Sequence, residues 1–277
     1  MAKKGVDGLD NKKKIIGIAA LAVIIIVVLI IILIPKKSDQ QKASEWNEEH
    51  LSEANKENKW DDYSYDEKVK FYKDNFGIEV PEKALNFEEM QKSVNKDIYA
   101  WLYVPELGID TPVVQHPSDD EYYLNYNLDG SKGYPGGIYT EPTYNKKDFS
   151  DQNTVIYGHN MKNGTGFAPL HKLEDKATFD SCKYMYVYTR NDILVYRIFA
   201  AREVLSLHLL DNFKYDDTTW PEFLQSLLSD DDVSGNGKDQ HLSSYDFTKD
   251  TKVLTLCTCL KSGDDRYRYD VFGALVR

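Results

Sequence analysis

Cys259 is the residue of this sequence best placed to act as a nucleophile. It ends residues 253–259, a run rich in β-branched and apolar side chains that predicts a buried or half-buried strand. Turn-forming residues follow at 261–265 and would leave Cys259 at the open tip of that strand. A cysteine attacks as its thiolate, and the free thiol is mostly protonated at neutral pH. An imidazole or another cation is therefore needed beside it.

His159 is the histidine whose position suits that partnership. It follows Gly158 and a predicted strand at 154–157, so it would project from a strand end instead of lying in a core. A solvated or hydrogen-bonded loop histidine is the alternative interpretation, and spacing alone does not separate the two. The full set of histidines is His50, His116, His159, His171, His208 and His241.

Two arginines near the C-terminus could stabilise an oxyanion, which acyl transfer also requires. An arginine donates two hydrogen bonds from a fixed charge. Arg266 and Arg268 begin the last predicted strand, directly after the loop that follows Cys259. If the two final strands are adjacent, that loop brings an arginine beside the thiol. Otherwise both are surface charges.

Metal binding is weakly indicated. Three cysteines are too few for a disulfide framework, and Cys257 and Cys259 form a Cys-x-Cys pair without a second pair. Residues 230–241 imitate the start of a calcium loop, but His241 stands where a bidentate Glu is needed. We expect no metal ion.

The elements that must position these residues are mostly strands. Short β-rich runs separated by turn residues predict a barrel or a sandwich. Helices are predicted at 63–76 and 86–95, and one late helix begins with a Thr219–Glu222 capping box. The predicted strands are 101–104, 110–115, 137–139, 154–157, 184–189, 193–204, 253–259 and 267–276.

An N-terminal membrane anchor is predicted at residues 15–34. This uninterrupted apolar run would span roughly 30 Å as a helix, the thickness of the hydrocarbon layer. Five lysines precede it and two follow it, which favours a cytoplasmic N-terminus. We therefore predict a cytoplasmic tail at 1–14, the anchor at 15–34, a tether at 35–60 and an extracellular domain at 61–277.

The predicted outer region is strongly acidic. The whole chain carries −11, and residues 1–37 hold seven lysines and two aspartates, a net of +5, which leaves −16 for the rest. Nucleic acid is an unsuitable partner for such a surface.

Several motifs together resemble one enzyme family. LTLCTC at 254–259, followed by a short loop and RYDVFGALV at 268–276, resembles the end of a sortase, a cysteine transpeptidase of Gram-positive bacteria. NTVIYGHNM at 153–161 and NGTGF at 163–167 resemble the histidine segment of the class B branch. DIYAWL at 97–102, TPVVQ at 111–115 and YYL at 122–124 also match that branch. The resemblance covers about residues 60–277.

The resemblance implies a fold and a set of roles. The fold would be a closed eight-stranded β-barrel with N-terminal helices and one helix between the sixth and seventh strands. Cys259 would be the nucleophile, His159 the acid/base, and Arg268, in preference to Arg266, the oxyanion-stabilising residue. Thr258 and Cys257 would line the substrate site. Neither a metal nor an organic cofactor is required.

The resemblance also implies substrates. The enzyme would cleave a sorting signal of the Asn-Pro-x-Thr type on a secreted protein and transfer that protein to a peptidoglycan cross-bridge amine. One alternative is a pilus polymerase that uses a pilin lysine as the second nucleophile. The other is a non-catalytic extracellular binding module.

Cys257 departs from the class B pattern, which usually has Ser at this position. In a regular strand Cys257 and Cys259 share one face with Cα atoms about 6.5 to 7 Å apart, near or beyond the reach of a disulfide. We interpret Cys257 as a small pocket-lining residue. A reversible disulfide that restrains Cys259 is the minority hypothesis.

Overall fold

The computed structural model describes residues 64–212 and 215–276. Two helices precede the sheet, α1 (Tyr65–Phe76) and α2 (Phe87–Ser93). Helix α1 ends at Gly77, which adopts a left-handed backbone conformation (φ 66°) that glycine reaches without steric cost. The Asn86 side chain caps α2 by accepting a 3.0 Å hydrogen bond from the Glu89 N–H. The end of α1 at Gly77 and the start of α2 at Asn86 confirm the prediction, whereas α2 ends at Ser93, two residues before its predicted end.

Eight strands form one sheet in the described part of the chain, and the mostly β character is as predicted. The sheet order is β2-β1-β4-β5-β8-β7-β3, and β6 pairs with β5. Neighbouring strands are antiparallel except β3 and β7, which are parallel. The strands are β1 (Ile98–Val104), β2 (Ile109–Val114), β3 (Asn153–Tyr157), β4 (Tyr184–Thr189), β5 (Ile193–Leu205), β6 (Gln240–His241), β7 (Val253–Cys259) and β8 (Tyr267–Leu275).

Short helices fill several of the connections. They are two 3-10 helices (Pro105–Leu107 and Ala168–Glu174) and the α-helices α3 (Tyr122–Asn125), α4 (Lys176–Ser181), α5 (Leu209–Asn212) and α6 (Thr219–Ser226). Helix α6 lies between β5 and β7, which correspond to the sixth and seventh predicted strands.

The two edge strands of the sheet, β2 and β3, are connected through residues 138–140 instead of pairing directly with each other. Tyr139 exchanges backbone hydrogen bonds with Tyr157 of β3 (3.0 and 2.8 Å). Its neighbours Ile138 and Thr140 bond to Val114 of β2. The strand predicted at 137–139 is therefore a set of isolated bridges, because single residues and not a continuous ladder make these contacts.

The hydrophobic core has three clusters. The first fills the concave side of the sheet and includes Phe167 and Val271. The second packs α1 and α2 against the outer face of β1 and β4. The third covers β5 and β8 with Trp220 of α6. Full burial of each large apolar side chain contributes about 1.5–3 kcal/mol, so the helices are held mainly by these contacts.

Helix α6 begins differently from the prediction. Its N-cap is Thr218, whose side chain makes no capping hydrogen bond. The Asp216 carboxylate, two residues earlier, accepts hydrogen bonds from the N–H groups of Thr218 and Thr219. The Thr219 hydroxyl also bonds to Asp216 (3.0 Å). The predicted Thr219–Glu222 capping box is wrong because Thr219 already lies inside the helix.

The predicted anchor at 15–34, the tail before it and the tether at 35–60 lie outside the described residues. Among the residues described, no helix combines the length and the apolar character needed to cross a bilayer.

Candidate active site

Strand register brings the three predicted catalytic residues to one edge of the sheet. Cys259 of β7 pairs directly with Arg268 of β8. On its other side β7 runs parallel to β3, with Tyr157 opposite Cys257. Because β3 and β7 run in the same direction, His159 and Cys259 each lie two residues beyond the Tyr157–Cys257 pair and are therefore beside each other. Residues from two distant parts of the chain therefore converge.

These residues line a cleft of about 300 Å³. One wall is the segment between β5 and α5, and the floor is formed by β7 and β8. Cys259 is exposed in the cleft, and Cys257 is buried beneath it. The lining also includes Leu124, Tyr139, Glu141, Tyr157, Thr258 and Asp270.

The His159 imidazole is oriented by the protein main chain. Its Nε2 lies 2.9 Å from the carbonyl oxygen of Leu124. A carbonyl oxygen only accepts, so Nε2 carries a proton in this contact and Nδ1 remains as the basic nitrogen. The Tyr134 ring packs edge-on against the imidazole with centroids 4.8 Å apart. The ring is therefore held by contacts on two sides.

Glycines allow the close packing around His159. Gly136 has φ 71°, and a Cβ there would lie 2.7 Å from the Tyr123 carbonyl oxygen and 3.3 Å from the His159 ring. A Cβ on Gly158 would lie 2.4 Å from Ile138. Side chains at either position would displace the segment that carries the imidazole.

Arg268 uses part of its guanidinium to fix its own position. Its Nη1 donates to the carbonyl oxygens of Asp265 (3.1 Å) and Tyr267 (2.9 Å). Within residues 64–212 and 215–276 its remaining nitrogens have no hydrogen-bond partner. These donors are thus available to a bound substrate. Arg266 instead binds Asp264 in a bidentate ion pair and does not line the cleft.

Cys257 and Asp270 form a buried pair in the cleft floor. They are register partners, and only 8% of Cys257 and 1% of Asp270 are exposed. Burial, and then the Asp270 carboxyl, raise the pKa of the Cys257 thiol well above its usual value. Burial also raises the pKa of Asp270 to about 7. Cys257 is thus a protonated small residue and a poor nucleophile.

Thr258 joins the strand that carries Cys259 to the segment that carries His159. Its hydroxyl donates a 2.7 Å hydrogen bond to the Gly158 carbonyl oxygen. The Gly158 N–H donates in turn to the Cys257 carbonyl oxygen (3.1 Å). The parallel pairing of β3 and β7 therefore extends to the residue before His159.

A hydrogen bond between a histidine and a carboxylate crosses the cleft rim. His208 Nε2 lies 2.8 Å from Glu141 Oε2. Burial raises the pKa of Glu141, and His208 opposes that shift. Neither residue was predicted from the sequence, because nothing in their spacing indicates that they meet.

The sequence interpretation also missed the side chains behind Cys259. Asn160 and His171 both contact its carbonyl oxygen. Asn160 follows His159 directly, which is the one sequence signal that could have drawn attention to it. No cluster of three or more metal-ligating side chains is present among the residues that the structure describes.

Comparison with known proteins identifies the family. A model of the sortase domain matches residues 102–276. The chain belongs to the sortase family. It is 32% identical over 198 residues to sortase B of Listeria monocytogenes, an alignment that covers 68% of this chain and 73% of that protein. A second relative, sortase B of Staphylococcus aureus, is 23% identical over 173 residues, covering 62% of this chain and 67% of that protein.

Solved class B sortases have the same fold. Sortase B of Clostridium perfringens is 26% identical, with a TM-score of 0.57 over 69% of this chain and 100% of that one. A class B sortase of Streptococcus pyogenes involved in pilus biogenesis is 25% identical, with a TM-score of 0.56 over 70% of this chain and 100% of that one. The chain is thus a class B sortase, a cysteine transpeptidase.

Proposed function

We propose that this sortase cleaves a C-terminal sorting signal of a secreted protein and joins that protein to a peptidoglycan cross-bridge amine. The sorting signal would be of the Asn-Pro-x-Thr type. Cys259 acts as the nucleophile, His159 as the acid/base and Arg268 as the oxyanion-stabilising residue. Cys257 and Thr258 border the bound peptide.

The observation that carries this proposal is the pairing of β3, β7 and β8. It brings the thiol, the imidazole and the guanidinium to one open cleft. Cys259 is the exposed thiol there, whereas Cys257 lies beneath it beside Asp270. The guanidinium nitrogens of Arg268 that have no hydrogen-bond partner among the described residues supply donors of the kind that stabilise a developing oxyanion.

The proposed reaction has two halves. The Cys259 thiolate attacks the Thr carbonyl carbon, and Arg268 donates hydrogen bonds to the tetrahedral oxyanion. The C–N bond then breaks as His159 protonates the leaving amine, giving a thioester. An incoming amine attacks the thioester, His159 accepts its proton, and the Cys259 thiolate leaves. With Nε2 bonded to Leu124, we expect Nδ1 to exchange the proton.

We further propose that residues 15–34 anchor the enzyme in the membrane, with the N-terminus in the cytoplasm and the catalytic region outside. The apolar run and the lysine asymmetry around it support this arrangement. A closed barrel, completed through the segment around Tyr139, is also part of the proposal. The bonds of Tyr139 to β3 and of its neighbours to β2 support closure.

Pilus polymerisation is a second candidate. The similar Streptococcus pyogenes enzyme is involved in pilus biogenesis, and its identity to this chain, 25%, is close to the 26% of the Clostridium perfringens enzyme. In that case a lysine side chain would replace the cross-bridge amine. A non-catalytic binding module finds no support now that the chain is assigned to a family of transpeptidases.

Peptide cleavage tests the proposed function. The predicted extracellular domain at 61–277, here called the outer domain, would be incubated with sorting-signal peptides and either a cross-bridge amine or a pilin-type lysine peptide. The products would be identified by mass spectrometry. We expect cleavage after Thr and amide formation with the preferred amine. His159→Ala should reduce the cleavage rate about 100- to 10,000-fold. The control His241→Ala, outside the cleft, should leave it unchanged. Equal activity of the two variants would contradict the assignment of His159.

A further inference from the structure

The main-chain carbonyl of Cys259 is bound by two side chains. Asn160 Nδ2 donates to this oxygen at 3.0 Å, and His171 Nε2 lies 2.9 Å from it. The two nitrogens also lie within hydrogen-bond distance of each other, at 3.1 Å. Cys259 is the last residue of β7, so this carbonyl marks the point where the strand ends and the turn begins.

A half-buried carboxylate holds the other side of the His171 ring. His171 Nδ1 lies 2.6 Å from Glu174 Oε1, and only 2% of His171 is exposed. Burial alone would raise the pKa of Glu174. The hydrogen bond from His171 and the charge of Lys261 outweigh burial and lower this pKa below its usual value. An ionised Glu174 only accepts, as does the Cys259 carbonyl. Both ring nitrogens of His171 therefore carry protons.

The same cluster also holds the turn after Cys259. Lys261 Nζ lies 3.3 Å from Glu174 Oε2 and 3.4 Å from the His171 carbonyl oxygen. The Tyr269 ring of β8 stacks on the imidazole with centroids 4.7 Å apart. The backbone is thus fixed at Cys259 and two residues beyond it.

We propose that His171 and Asn160 are positioning residues that clamp the Cys259 carbonyl and thereby fix the thiol relative to His159 and Arg268. This inference rests on the proposed function, in which Cys259 is the nucleophile. Asn160 directly follows His159, so its hydrogen bond sets the distance between the two reacting segments. Displacements of about 1 Å caused by remote substitutions can cost about 100-fold in rate.

Matched substitutions of His171 separate positioning from fold stability. His171→Phe keeps a ring to stack on Tyr269 but removes the donor to the Cys259 carbonyl. His171→Gln keeps a donor near the Nε2 position without the ring. We expect His171→Phe to lower kcat for peptide cleavage about 10- to 100-fold with KM within about threefold. His171→Gln should restore kcat to within about threefold of the original enzyme.

A double variant tests whether the two side chains share the task. In an Asn160→Ala background the loss of kcat caused by His171→Phe should be larger, because the Cys259 carbonyl then has no side-chain donor.

Other results would overturn the proposal. Equal losses in His171→Phe and His171→Gln would indicate a role in stability alone, and a loss confined to KM would indicate a role in substrate binding instead of positioning. Full activity of His171→Phe in both backgrounds would show that the clamp is unnecessary. If His171→Phe does not fold, Asn160→Ala alone must lower kcat while KM stays unchanged, and an unchanged kcat would contradict the proposal.

A spectroscopic measurement tests the His171 contact with the Cys259 carbonyl independently of peptide cleavage. In the unsubstituted outer domain, ¹⁵N NMR at pH 7 should show both ring nitrogens of His171 protonated. An unprotonated Nε2 would remove the clamp even if peptides are cleaved. If no peptide is cleaved but both nitrogens are protonated, the proposed function fails and the clamped geometry stands.

Discussion

At the scale of single residues, the geometry of the Arg268 guanidinium should matter as well as its charge. Lysine keeps the charge but lacks the planar fork. Removal of one oxyanion donor costs roughly 100- to 1,000-fold in kcat, so Arg268→Lys should lower kcat by about that factor. Arg266→Lys is the matched control, because Arg266 is paired with Asp264 outside the cleft. Steady-state kinetics in which both variants lose activity equally would contradict the choice of Arg268.

Asp270 should make stability depend on pH. Its pKa is raised by burial to about 7, whereas the pKa of an aspartate in the unfolded chain is about 4. The native protein therefore keeps a proton that the unfolded chain has lost, and this contribution to stability declines as pH rises from about 4 to about 7.

The isosteric variant Asp270→Asn removes that dependence. We expect similar unfolding free energies for variant and parent near pH 4, and a more stable variant at pH 8, by up to about 4 kcal/mol. Urea unfolding at both pH values measures the difference. A difference between the two proteins that stays constant with pH would contradict a raised pKa at this position.

At the scale of elements, the loop that supports His159 depends on Gly136. Gly136→Ala adds a Cβ 2.7 Å from the Tyr123 carbonyl oxygen and 3.3 Å from the His159 ring. Gly130 is the control, since it also has positive φ (79°) but open space around it. Both substitutions carry a left-handed backbone penalty of about 1–2 kcal/mol. Only Gly136→Ala should also lower activity, by about tenfold or more, in peptide cleavage assays. Equal activity losses would show that crowding at His159 is unimportant.

Much of the site could be predicted because its parts are local. Cys259 and Arg268 are separated by one short turn, so two adjacent antiparallel strands suffice to bring them together. His159 is a different case. The position of His159 beside Cys259 depends on the parallel register of β3 and β7, which are some 100 residues apart in the chain. Sequence periodicity does not encode that register, and the family resemblance supplied the pairing.

What the sequence did not reveal depends on tertiary packing. His171 and Glu174 lie on a 3-10 helix whose position behind β7 no local pattern indicates. In the sequence Asp270 is indistinguishable from an ordinary strand residue, because its pairing with the buried Cys257 on the neighbouring strand is not evident there. The Asp216 carboxylate accepts hydrogen bonds from the N–H groups at the start of α6, whereas the sequence pattern indicated Thr219, which lies inside the helix.

At the scale of the whole molecule, the predicted anchor and the acidic outer region should be separable. The chain carries −11 overall, whereas residues 1–37 are basic. Removal of residues 1–37 should move the protein from the membrane fraction to the soluble fraction while peptide cleavage is retained. Cell fractionation and protease accessibility of intact cells measure this. Recovery of the full chain in the soluble fraction would contradict the anchor at 15–34.

The most direct test of the central claim is the site of acylation. The outer domain would be mixed with a sorting-signal peptide, quenched in acid, digested and analysed by mass spectrometry. We predict a thioester on Cys259, none on Cys257 or Cys182, and no adduct or cleavage in Cys259→Ala. An adduct on another residue, or cleavage that persists in Cys259→Ala, would contradict the assignment of Cys259 as the nucleophile.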